Sequence, residues 1–140
     1  MNAGILSGLR RTLLTDKLAA MSVHDLLSHT YQSLSQGDYY ARLANTPGNA
    51  VVLFSQPHCG ACRTWQRLLP EALSGITLHF YAVDVARETG MARYFGIFHL
   101  PTIYLYRDGQ FHAELQAEAR VDAIQRAARA LLAAAPQEEP

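Results

Sequence analysis

The sequence predicts an α/β fold: a central mixed β-sheet flanked by helices, with an N-terminal helical extension. Three observations carry that expectation. Val51, Val52, Leu53 and Phe54 form a short, continuously apolar run of the kind that makes a central strand buried on both faces. After it, helix-like and β-rich segments alternate, as they do when helices cover both sides of one sheet. Finally, Asp108–Gly109 separates two β-rich runs, a two-residue signal for an antiparallel hairpin.

The elements follow in order. Leucines at helical spacing mark residues 5–21 as a helix. A second is expected over residues 22–37. Ser22 and Asp25 start it in the manner of a capping box, Val23, Leu27, Tyr31 and Leu34 share a face, and Gly37 stops it. Asp38 can cap a shorter helix through Leu43, closed by Thr46, Pro47, Gly48 and Asn49. The apolar strand comes next. A helix opens at Cys59 and runs to about Leu73, with Pro70 expected to bend or end it. Ile76 to Val85 reads as a strand, and Arg87 to Phe95 as a helix closed by Gly96. Thr102–Arg107 and Gln110–Leu115 form the hairpin strands. A last helix runs from about Ala119 to Ala135, with Val121, Ile124, Ala128, Leu131 and Leu132 facing inward. The organisation expected is therefore a helical extension over 1–37, a core domain over 38–135 and a disordered polar tail over 136–140.

The 140 residues suffice for one domain with a real core. Twelve basic residues balance twelve acidic ones, so the composition favours neither nucleic acid nor an anionic membrane as partner. No apolar stretch approaches the roughly 18 residues that suggest a membrane span. Arg10, Arg11 and Asp16 interrupt the early leucines, so no export signal is read there and a cytoplasmic location is expected. The apolar stripe of residues 1–37 suits packing onto the host domain; a docking helix for a dimer mate or client is the alternative.

The chemistry concentrates at Cys59–Gly60–Ala61–Cys62, which holds both cysteines of the chain. In a reducing compartment such a pair reads as redox or metal chemistry rather than as a structural bridge. A sulfur at a helix N-terminus faces unpaired backbone N–H groups and the positive end of the helix dipole, both of which favour the thiolate. The thiolate is the nucleophile of disulfide exchange. Cys62, one turn on, is placed to attack the resulting mixed disulfide, and the small Gly60 and Ala61 let a partner chain approach. A charged histidine beside a thiol also stabilises the thiolate, which makes His58 and His99 candidates. A Cys₂His₂ zinc site using both thiols with His58 and His99 is disfavoured, because His58 is covalently adjacent to Cys59. No metal and no dissociable cofactor is assigned.

The stretches VVLFSQPHCGACRTW and YFGIFHLPTIYLYRDGQ resemble the active-site strand and helix, and the cis-proline segment, of the thioredoxin family. The resemblance covers roughly residues 38–135. It implies a thioredoxin-like fold and thiol–disulfide oxidoreductase activity on protein thiols, recycled by a reductase or another dithiol protein. It further implies that Pro101, 42 residues after Cys59, is cis, and that Leu100 before it offers backbone contacts to substrate. His58, Gly60, Ala61, His99, Leu100 and Pro101 then form the substrate-binding set around Cys59 and Cys62. Several positions depart from the family's pattern. His58 replaces a Trp, Ala61 a Pro, Leu53 a buried Asp, Phe80 the accompanying Lys and His99 a Gly, while the helix proline comes late, at Pro70. A redox-inert binding or assembly module on the same scaffold is the rival reading, and a Cys/His metal-binding protein a more distant one.

Overall fold

In this computed structural model the described residues are 30–140, so the expected helix over 5–21 and the first half of that over 22–37 lie outside them. The elements in chain order are β1 (Tyr31–Ser33), α1 (Tyr39–Ala44), β2 (Asn49–Ser55), α2 (Gly60–Leu73), β3 (His79–Asp84), α3 (Thr89–Phe95), β4 (Thr102–Arg107), β5 (Gln110–Glu114) and α4 (Val121–Ala133). The five strands form one sheet in the order β1-β3-β2-β4-β5. β3 is parallel to both β1 and β2, while β4 runs antiparallel to β2 and β5 to β4. The sheet is mixed, as the alternation of segments predicts.

β2 shows why a run without polar alternation makes a strand. Its side chains point alternately to two faces, and both faces are covered. Val51 and Leu53 enter one core with Leu68, Leu69 and Leu73 of α2 and Ile124 and Ala128 of α4. Ala50, Val52 and Phe54 enter the other with Tyr39 and Leu43 of α1 and Met91 and Phe95 of α3. Polar residues on either face would be stranded between sheet and helix.

The hairpin forms as the Asp–Gly pair predicts. Asp108 and Gly109 both take positive φ, at 50° and 80°. A Cβ at Gly109 would also stand 2.8 Å from the Ala44 Cα, so the site excludes a side chain on two grounds. Asp108 ties the turn to the start of β2, donating its N–H to the Gly48 carbonyl and accepting the Gly48 N–H, each at 2.8 Å.

Two expectations need correction. Residues 31–33 are a strand, so the helical reading of the extension fails over its last part, and the sheet begins inside residues 1–37. Tyr31 and Leu34 are three apart, which suits a helix face, but here they enter opposite cores. A three-residue strand is too short to show its own period. Second, the tail over 136–140 is ordered against the outer edge of β5, although its side chains are exposed. Gln137 donates its N–H to the His112 carbonyl at 2.7 Å and its side-chain oxygen accepts the Glu114 N–H at 3.1 Å. Tyr40 donates to Glu139 at 2.7 Å. Edge strands carry unpaired backbone groups, and a polar segment can satisfy them without burying anything.

The helix continues to Leu73 as expected, with Pro70 inside α2. A proline inside a helix costs about 3 kcal/mol. Leu68, Leu69 and Leu73 are all buried around it, and each leucine so placed contributes about 1.5–3 kcal/mol. Packing wins. The carbonyl that Pro70 leaves without a helical donor belongs to Gln66, and the Tyr31 hydroxyl donates to it at 2.9 Å. Burial pushes the Tyr31 phenol well above its usual range, so it stays a neutral donor. Tyr31→Phe should therefore lower the unfolding free energy by about 1 kcal/mol. Pro70→Ala restores the helix donor, and in that background the same change should cost much less; a double-mutant cycle by urea denaturation checks the coupling.

Candidate active site

Three loops meet at one end of the sheet. β2 ends at Ser55, and the chain turns through Gln56, Pro57 and His58 into α2. His58 takes the left-handed conformation, φ 63°, which swings the backbone so that Cys59 becomes the helix N-cap. Cys59 itself is extended, with φ −102° and ψ 106°, and its sulfur accepts the Cys62 N–H at 3.2 Å. An N-cap side chain normally offers oxygen to this donor; here the acceptor is the reactive atom. The two cysteines are joined as a disulfide with their Cα atoms 5.2 Å apart. Cys59 is half-buried, whereas Cys62 is buried at 3% exposure, so attack from outside reaches the first sulfur.

The second loop precedes β4. Phe54 pairs with Thr102 across the β2–β4 ladder, which sets the residues before Thr102 beside the end of β2 that leads to Cys59. The Leu100–Pro101 bond is cis. The Thr102 hydroxyl closes this turn by donating to the His99 carbonyl at 2.6 Å. Among the described residues, no backbone hydrogen bond engages the Leu100 N–H or carbonyl. Pro101 and His99 border an open cavity of about 620 Å³, together with Trp65 of α2 and Ala117 from the loop after β5.

Cys59, Cys62, Pro101 and His99 thus fall at one end of the sheet, with Leu100 half-buried against the α3-side core. His58, Gly60 and Ala61 are exposed around the disulfide and do not line the cavity. Among the described residues, no three His, Cys, Asp or Glu side chains gather as a metal cluster would require. Sequence reasoning passed over Phe98, which lines the cavity beside Ile97; a lone apolar residue in a loop carries no periodic signal.

Beneath the disulfide the core is apolar but for the Tyr31 hydroxyl. Leu53 is 1% exposed and shares its cluster with Phe80, Leu68, Leu69 and Ile103, with Trp65 packed against them. The buried polar side chains of the described residues are Thr46, Thr77, Thr102 and His112, so no carboxylate is buried there. A carboxylate that could take the Cys62 proton from inside is absent from this floor.

A C-x-x-C pair at a helix N-terminus, one sulfur reachable and one shielded, with a cis-proline at the same end of the sheet, is an arrangement suited to disulfide exchange. The chain belongs to the thioredoxin family, whose sequence profile matches residues 30–130. It is 34% identical over 83 residues to protein disulfide-isomerase A3 of Gallus gallus, a match covering 55% of this chain and 16% of that protein. The chain therefore spans about a sixth of that relative's length. Among solved structures it resembles oxidised mitochondrial thioredoxin 3 of Saccharomyces cerevisiae, with a TM-score of 0.62 at 20% identity, covering 74% of this chain and 98% of that one. It also resembles the zinc-bound form of human ERp44, with a TM-score of 0.61 at 23% identity, covering 71% and 31%. These likenesses show the fold.

Two outcomes follow from the geometry. In the reduced protein, Cys59 should titrate below the ~8.5 of a free thiol. Iodoacetamide at mildly acidic pH should then modify Cys59 well before Cys62, as peptide mass mapping will show; preferential modification of Cys62 would reverse the two roles. Leu53→Asp should accelerate decay of a mixed disulfide on Cys59 by at least about tenfold, by supplying a base, at a cost in stability for the buried carboxyl. Stopped-flow decay in both proteins, from mildly acidic to mildly alkaline pH, measures it. Equal rates at neutral pH would mean that another group already serves as base, His58 and His99 being the first to replace.

Proposed function

We propose that the protein is a thiol–disulfide oxidoreductase that exchanges disulfides with protein thiols. The observation that carries this reading is the placement of the Cys59 sulfur, half-buried at the N-cap and accepting the Cys62 N–H, with Cys62 shielded behind it. In the reducing direction, the Cys59 thiolate attacks one sulfur of a client disulfide and the other client sulfur leaves as a thiolate. Cys62 then loses its proton and attacks the Cys59 sulfur of the mixed disulfide. The client departs as a dithiol, and two electrons have passed from the Cys59–Cys62 pair to it. Pro101 and the backbone of Leu100 are read as the surface that presents the client, since Leu100's peptide groups are engaged by no described backbone partner. His58, Gly60, Ala61 and His99 border the approach.

No dissociable cofactor takes part in the exchange itself; a reductase or another dithiol protein restores the pair. A cytoplasmic location belongs to the same proposal, supported by a chain whose two cysteines both lie in the motif. Residues 1–37 are proposed to pack on their own domain, or to dock a dimer mate or client.

Reduction of insulin by dithiothreitol separates this from a redox-inert assembly module. The wild type should accelerate insulin precipitation, Cys59→Ser should abolish the effect, and Cys62→Ser should accumulate clients as stable mixed disulfides. A wild type no faster than buffer favours the module.

A further inference from the structure

Phe98 stands out among the exposed apolar side chains. It is 90% exposed, more than Leu78, Tyr94 or Tyr40. It takes part in none of the ring contacts that join Tyr39, Tyr40, Phe54, Tyr94, Phe95 and Tyr104 among the described residues. A single exposed hydrophobic residue is ordinary. This one, however, borders the 620 Å³ cavity, three residues before the cis-proline that borders the same cavity. Trp65 and Ile97 supply further apolar wall. Leu100 and Pro101, read above as the surface that presents the client, follow Phe98 within three residues.

We propose that Phe98 determines client specificity, anchoring an apolar side chain that lies within two or three residues of the client's reacting cysteine. The inference rests on the exchange function proposed above and names its substrate class. A client segment paired along Leu100 is extended, and its residues advance about 3.3 Å each. An apolar side chain that close to the cysteine therefore reaches a wall beginning three residues from Pro101. There it covers the Phe98 ring and the Trp65 face, removing apolar surface from water on both partners. A serine at the same place covers little. Phe98 is nine-tenths exposed, so its replacement leaves both cores intact.

Trp65 is the sole tryptophan of the chain and lines the cavity, so its fluorescence reports occupancy directly. The test uses the full oxidised chain and two synthetic peptides, identical except for Leu or Ser two residues from the reacting position, which carries Ser in place of Cys. The Leu peptide should bind about tenfold more tightly than the Ser peptide, which corresponds to about 1.4 kcal/mol. Phe98→Ser should reduce that preference to below about twofold, and Phe98→Leu should keep most of it. Equal binding of the two peptides, no saturable change in fluorescence, or a preference that survives Phe98→Ser overturns the proposal. Because neither peptide carries a thiol, the result is independent of insulin reduction. An active protein without the preference loses only the anchor, whereas an inactive one with it keeps the anchor and loses the exchange reaction.

Discussion

The architecture depends on β2, which pairs with β3 in one sense and β4 in the other while both of its faces are covered. That double burial fixes the strand's position, because neither edge nor face is left to slide toward solvent. The position of its far end is fixed as a result, and His58, in a left-handed conformation, converts strand into helix four residues after Phe54. The antiparallel partner begins at Thr102, directly opposite Phe54. A sulfur at a helix start and a cis-proline, 42 positions apart in the chain, come to the same end of the β2–β4 ladder because one strand cannot move.

What was legible in the sequence was what leaves a periodic or a local chemical mark. The run from Val51 to Phe54 declares two-faced burial, Asp108–Gly109 declares its turn, and Gly96 closes α3 in the left-handed conformation that its lack of a side chain permits. The cysteine spacing announces the site. β1 was not legible, since three residues contain less than two strand periods and its spacing imitates a helix. The tail was not legible either: its order comes from backbone groups on the edge of β5, which have no signature in side-chain composition. Phe98 shares that difficulty, because exposure is a property of the folded surface.

Pro70 shows how a rule about one residue yields to its neighbours. Read alone, it ends a helix. Set among Leu68, Leu69 and Leu73, it sits in a segment whose apolar face is worth more than the lost hydrogen bond, and Tyr31 from an adjacent strand caps the carbonyl set free. The compensation crosses from helix to sheet, joining residues 35 positions apart. The strand that sequence patterning missed is therefore the one that stabilises the helix carrying both cysteines.

The hydrocarbon floor under Cys62 has a thermodynamic meaning separate from catalysis. Where an ionisable group is buried in a core, its proton affinity differs between folded and unfolded chains, and stability then follows pH by linkage. With Leu53 and Phe80 in place, the ionisable group left in the cluster beneath α2 is the Tyr31 phenol, which burial keeps neutral well beyond its usual range. Acid or mild base can alter the reactivity of the thiols above it without charging the packing below. Proton chemistry and folding energy are kept in separate layers of the same helix.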